Sequence, residues 1–308
     1  MTSAPLSLRF FTQAQHDVRR ITGELGDLQR QIASGSVANT LQGFGGASSR
    51  LLNAQSMRAA SDSRASVIDQ LQARFGVQGA ALGQVADASS ALAQSIRDAI
   101  SANDGRGIVT ELELSFSSIV SALNETWNGQ PMFAGERQDG VPIKINTLDD
   151  LLTAVTPDAI FDEATRHQTI DFGTGEPIKL AAKASELSSG LFDTLRALKN
   201  MLDGAGGTLG QPINATDTAQ LQAFAAQFEA HSAAFTTEEG RSGQLQNRLE
   251  DERARLQVRS DLLTKEIGEQ ADADLAQVSI RLNTLLTQYE AAAKTFSELS
   301  QLSLLNYL

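Results

Sequence analysis

The two ends of this chain carry the same pattern. Phe11, Ala14, Val18, Ile21, Leu25, Leu28 and Ile32 alternate at spacings of three and four residues. That is the seven-residue repeat of a helix with a single apolar seam, and Asp17, Arg19, Arg20, Glu24, Asp27 and Arg30 all fall outside it. Ser34-Gly35-Ser36 then stops the helix. Near the other end Leu275, Val278, Leu282, Leu285, Tyr289, Ala292, Phe296 and Leu299 keep the same alternation without a break. Leu302, Leu304, Leu305, Tyr307 and Leu308 carry the stripe to the last residue. At 1.5 Å per residue each segment predicts a helix about 40 to 50 Å long.

Matched stripes at opposite ends can zip together, but each helix then hides only its seam and leaves its other apolar side chains in water. Fully burying a Leu or Phe stabilises by roughly 1.5 to 3 kcal/mol, so a seam holds on the order of 10 kcal/mol that a lone helix cannot collect. Isolated helices are themselves marginal. Two expectations follow: the ends order against neighbouring molecules at assembly, or they form an ordinary intramolecular bundle. The candidate interface is Phe11, Val18, Ile21, Leu25, Leu28 and Ile32 with Leu275, Val278, Leu282, Leu285, Tyr289, Phe296, Leu299, Leu302, Leu305 and Leu308.

Between the ends, Val67, Ile68, Leu71, Phe75, Leu82, Val85, Leu92, Ile96 and Ile100 mark a long amphipathic helix starting near Ala47 and ending at the turn 103–107. Gly76, Gly79 and Gly83 inside it each cost about 1 kcal/mol relative to Ala, which suggests a close helix contact. A return helix runs from Ile108 through Leu112, Phe116, Ile119 and Leu123 to Trp127. The periodicity then changes: residues 141–145, 167–172 and 177–181 read as short strands, the last two joined by a hairpin at Gly173–Glu176. Helical spacing resumes at Leu187, breaks at 204–212 and runs from Thr216 almost to the end.

With 41% hydrophobic residues but only 5% aromatic, aliphatic side chains must supply the burial, which favours helix packing. The expected fold is therefore mainly α: an elongated helical bundle or coiled-coil rod with a small β-containing insertion. Its expected parts are terminal assembly segments at 1–40 and 268–308, a helical core at 41–135 and 183–267, and an insertion lobe at 136–182.

The absence of cysteine excludes disulfides, thiolate catalysis and cysteine-based metal sites. A net charge of −12 disfavours nucleic acid and anionic membrane surfaces and points to protein partners. No apolar run is long enough to span a membrane, and the first residues lack the pattern of a cleavable secretory signal. His16, His167 and His231 lie in separate segments without carboxylates at metal-ligand spacing, so no metal or cofactor is expected. The glycine-rich stretch 43–46 lacks the Lys and Ser/Thr of a phosphate loop and reads as a flexible linker. Asp272 and Asp274 diverge on a helix and suit a helix N-terminus better than acid/base chemistry. Arg248, Arg253, Arg255 and Arg259 alternate with acidic residues as a solvated face does.

Residues 9–35, closing in Ser-Gly, resemble the N-terminal helix of the flagellin superfamily of bacterial axial proteins. Residues 240–250 are similar to its Gly-x-x-x-Asn-Arg-Leu segment, and the stretch from Asp272 to Leu308 resembles its C-terminal helix. Residues 129–143 and the Leu-rich ending resemble the hook-associated branch. The Asp-Asp-Pro or Asp-Asp-Ala segment usual after the Ser-Gly is absent; residues 37–49 stand in its place. The resemblance implies a structural role without catalysis, secretion by flagellar type III export with the N-terminus retained, and a place between the first hook-associated protein and flagellin. It also implies self-association in a ring and a chaperone of the FlgN type covering the C-terminal segment before export. A filament subunit, a cytoplasmic coiled-coil scaffold and an enzyme are the other readings.

Overall fold

The computed structural model describes residues 4–154, 157–171, 177–206 and 209–305, and the side chains of these except 4–11, 157–158 and 299–305. It is mainly helical: α1 (Ala4–Ser34), α2 (Ser48–Ala102), α3 (Ile108–Leu123), α4 (Leu148–Thr153), α5 (Ala184–Gly204), α6 (Ala215–Ala271) and α7 (Leu275–Leu305). Among the described residues two two-stranded antiparallel ribbons interrupt the helices: β1 (Thr126–Trp127) with β2 (Gln130–Pro131), and β3 (Thr169–Ile170) with β4 (Ile178–Lys179). By contacts the chain divides into a unit of residues 1–65 and 255–308 and a unit of residues 66–254.

In the unit 66–254, the apolar faces read from the sequence close on one another. Leu82, Val85, Leu92 and Ile96 of α2, Leu112, Phe116 and Ile119 of α3, Leu191, Phe192, Leu195 and Leu198 of α5, and Leu221 and Phe228 of α6 are buried in one cluster. Phe192 stands edge-on to both Phe116 and Phe161, with ring centroids 6.2 and 5.9 Å away. Such pairs add about 0.5 to 1.5 kcal/mol beyond burial. The α2–α3 turn is fastened by Asp104, whose carboxylate takes the Arg106 Nε at 2.8 Å and backbone N–H at 3.1 Å. These bonds hold the Asp104 pKa down to about 2. Half-buried His231 on α6 meets the Thr194 hydroxyl at 3.0 Å; that hydroxyl donates to the Gly190 carbonyl at 2.9 Å, leaving its oxygen to accept from Nε2. Burial lowers the His231 pKa.

The return helix ends at Leu123, and Trp127 belongs to β1. Asn128 and Gly129 both have positive φ, 51° and 78°, the two-residue turn that lets a hairpin follow the natural strand twist. Residues 141–145 form no ladder: Ile143 makes one isolated bridge to Phe161, and its other edge is taken by a side chain. Asn124, at the end of α3, accepts from Ile143 N–H at 2.8 Å and donates to the Ile143 carbonyl at 3.0 Å. Its amide thus does the work of a neighbouring strand. Among the described residues of 167–171 and 177–181 only the paired dipeptides are strands, while Phe172 and the expected connection at 173–176 lie outside the described residues. Gly135 is required where it stands: φ is +65°, and a Cβ would lie 2.3 Å from the Arg166 carbonyl oxygen. Gly76, Gly79 and Gly83 are not required for close approach. A Cβ there would meet only side-chain atoms of Glu239 or Gln246 at 3.5 Å or more.

In the unit 1–65 and 255–308, Leu51 and Ala54 of α2 and Leu256 and Leu263 of α6 are buried, and Ser260 Oγ donates to Asp62 Oδ1 at 2.6 Å. The supposed flexible linker 43–46 lies inside a 3-10 segment, Leu41–Ala47.

Candidate assembly site

Two adjacent breaks in the chain create the geometry at the terminal helices. Gly35, at φ +70°, donates its N–H to the Gln31 carbonyl at 2.8 Å, the left-handed residue that commonly closes a helix. Across from it, α6 and α7 are separated by residues 272–274. Val37 N–H donates to the Ala271 carbonyl and Ala273 N–H to the Gly35 carbonyl, both at 2.8 Å, so the end of α1 is tied to the start of α7. Asp274 caps α7: its Oδ1 accepts from the N–H groups of Ala276 and Gln277 at 3.1 Å each. Asp272 and Asp274 therefore sit in the break rather than on a helix, and Asp274 acts as the cap.

Because α1 ends where α7 begins, the two helices run antiparallel, and their seams meet. Ile21, Leu25 and Leu28 of α1 and Val278 and Leu285 of α7 are buried in one cluster, with Leu282 and Ala292 partly buried against it. Val18 and Phe296 are half-buried. The intramolecular pairing thus uses the centre of both stripes. Other members of the candidate set stay in water: Ile32 is 38% exposed, Leu275 48% and Tyr289 37%. The side chains of Phe11, Leu299, Leu302 and Leu305, and Leu308 altogether, lie outside the described residues.

Two exposed positions on α7 were not reached by the heptad pattern. Ile280 is 69% exposed and Leu286 40%. Both lie off the seam, so a search for the three-four alternation passes over them. Their signal is an apolar residue at a position facing away from the partner helix, where a solvated helix carries polar groups.

The histidines do not converge. His16 is exposed, His167 Nε2 faces Glu186 at 3.3 Å, and His231 faces Thr194. Among the described residues no group of His, Cys, Asp and Glu could hold a metal ion, and no helix is long and apolar enough to cross a membrane.

Fold and terminal pairing define a helical protein whose two ends fold on each other and still present apolar side chains. Residues 227–308 match the family of the bacterial flagellin C-terminal helical region. The structure is similar to the "putative flagellar hook-associated protein" from Vibrio parahaemolyticus, with a TM-score of 0.58 at 16% identity over 76% of this chain and 100% of that one. It also aligns with Bacillus cereus FlgL at a TM-score of 0.41 and 14% identity, over 62% of this chain and 96% of that one. No curated protein matches the sequence. The family match concerns the C-terminal region 227–308, and the first of these structures shares the fold of this chain.

Proposed function

We propose that this protein is a structural subunit of the bacterial flagellum of the FlgL type, hook-associated protein 3, joining the hook-associated ring to the flagellin filament. The observation that carries the assembly reading is the surplus of apolar surface on α7: Leu275, Ile280, Leu286 and Tyr289 remain exposed after the α1–α7 seam is closed. Side chains of this kind, repeated along one helix, gain from burial only against another molecule. In this reading the buried seam holds the subunit's two ends in register, and the exposed positions, with Ile32 on α1, pack against neighbouring subunits. The neighbours are copies of this chain, the first hook-associated protein on one side and flagellin on the other. A FlgN-type chaperone covers the C-terminal stripe before export. The work is mechanical, and no reaction is assigned to it.

The similarity of residues 129–143 and of the Leu-rich ending to the hook-associated branch favours the junction over the filament. Two measurements test the proposal together. Full-length protein should appear outside cells only when flagellar export works, and immunogold labelling should mark a single band between hook and filament. Label along the whole filament, or purified protein that polymerises alone into long filaments, would make it a filament subunit instead. Protein found only inside export-competent cells would leave the scaffold reading.

A further inference from the structure

Among the described residues the most exposed large apolar side chains after Ile280 are Leu262 at 64%, Leu114 at 62% and Val258 at 60%. None of the three belongs to the terminal stripes. Val258 and Leu262 lie four positions apart on α6, so they share one face of that helix. Leu114 lies on α3, with Glu113 exposed beside it. A single leucine in water is ordinary. What sets these apart is the charge around them.

Residues 255–265 hold three cations, Arg255, Arg259 and Lys265, against one carboxylate, Asp261, which accepts from Gln257 Nε2 at 3.0 Å. Lys265 reaches Glu269 only at 4.0 Å, and Arg259 makes no ion pair among the described residues. The surroundings of Leu114 have the opposite sign. From Gly107 to Glu136 the chain has four Glu and no Lys or Arg, and Glu113 makes no ion pair among the described residues. The whole units differ in the same sense: residues 66–254 carry 26 Asp and Glu against 13 Lys and Arg, whereas residues 1–65 and 255–308 carry 11 against 12. Two copies meeting through like faces would set acid on acid at α3 or base on base at α6. Unlike faces match in sign, and each brings an apolar centre.

We propose that α3 of one copy of this chain docks on the α6 face of a second copy, with Leu114 seated between Val258 and Leu262 and Glu113 facing Arg255 and Arg259. A side chain of one helix entering the groove between residues one turn apart on another is the usual way two helices pack. The two halves of the contact are different surfaces, so each copy keeps one half free after binding. Such a heterologous contact propagates into a ring or a row instead of stopping at a pair. The inference rests on the self-association in the proposed function and names surfaces for it outside the terminal helices.

The test uses the full chain, which has no cysteine and so gives no background in thiol crosslinking. Ser117→Cys on α3 and Lys265→Cys on α6, both exposed, place one thiol near each face in two separate variants. At about 1 mM protein, where even a contact with a Kd of that size is populated, a bismaleimide should join the mixed variants into a dimer that neither forms alone. Leu114→Ala in the α3 variant should lower the crosslinked fraction about tenfold. Arg259→Glu in the α6 variant should lower it about fivefold, and Glu113→Arg in the α3 variant should then restore it, which a loss of folding would not allow. No mixed dimer, equal dimers from each variant alone, or a mixed dimer indifferent to Arg259→Glu would overturn the proposal. Those results leave the export and immunogold measurements as they were, so the contact and the flagellar role fail separately.

Discussion

Truncating Leu25 to Ala tests the terminal pairing. Leu25 is 9% exposed and lies in the α1–α7 cluster, between Ile21 and Leu28 on α1 and buried together with Val278 and Leu285 of α7. A buried Leu→Ala change costs about 2 to 5 kcal/mol, and a seam between only two helices can collapse around the gap, so about 2 kcal/mol is expected. At 1.4 kcal/mol per tenfold, that is about thirtyfold in the opening equilibrium of the pair. The assay is native-state amide exchange of the monomer at low concentration: protection of α1 and α7 should fall about thirtyfold, while the buried core helices α3 and α5 hold their rates. Ile280→Ala is the matched control. At 69% exposure it should change protection by no more than about 0.5 kcal/mol. Equal rates in Leu25→Ala and the parent would refute the reasoning, because the seam would then not be formed in the free subunit. A loss as large in Ile280→Ala would refute it from the other side.

Gly76→Ala and Gly79→Ala should each stabilise by up to about 1 kcal/mol in urea unfolding, since a methyl group meets only ordinary contacts there; destabilisation would show that α6 needs the closer approach. Gly135→Ala should cost more than about 1 kcal/mol, from positive φ and the clash with the Arg166 carbonyl, seen as a lower Tm. Asn124→Ala strips both bonds from Ile143 and should cost about 2 kcal/mol, with exchange rising at Ile143. His231 is held below its usual pKa by burial, so the protonated form is favoured in the unfolded chain. Its contribution is therefore fully present above about pH 6.5 and is lost as pH falls below that. Tm measured from pH 7.5 to 5.5 should fall less steeply in His231→Gln than in the parent, and an unchanged slope would remove His231 from the account.

What the sequence showed best was periodicity sustained over many residues. Five members of the α1 and α7 stripes meet in one buried cluster, and the Ser-Gly stop appeared where Gly35 takes its left-handed turn. Short-range marks were less legible. β1 and β2 contribute two residues each around Asn128-Gly129, too few for alternation to show. The supposed strand at 141–145 was misread because its pairing edge is supplied by a side chain nineteen positions away, which no local pattern reports. Glycines in α2 suggested a close approach that the packing does not use, and Ile280 and Leu286 escaped because the heptad template follows the hidden face and ignores the other. Asp274 was read as an acidic residue of a first helical turn, whereas its side chain closes the helix from just outside.

The claim at the centre is that apolar side chains left exposed on α7 exist to be covered by neighbouring molecules. The most direct measurement replaces Ile280 and Tyr289 by Gln in a strain whose only copy carries the change, and compares secretion, circular dichroism of the purified chain and filaments seen by electron microscopy. Unaltered folding and secretion with filaments absent or shed is the result foreseen. Normal filaments on a normally folded double variant would contradict it.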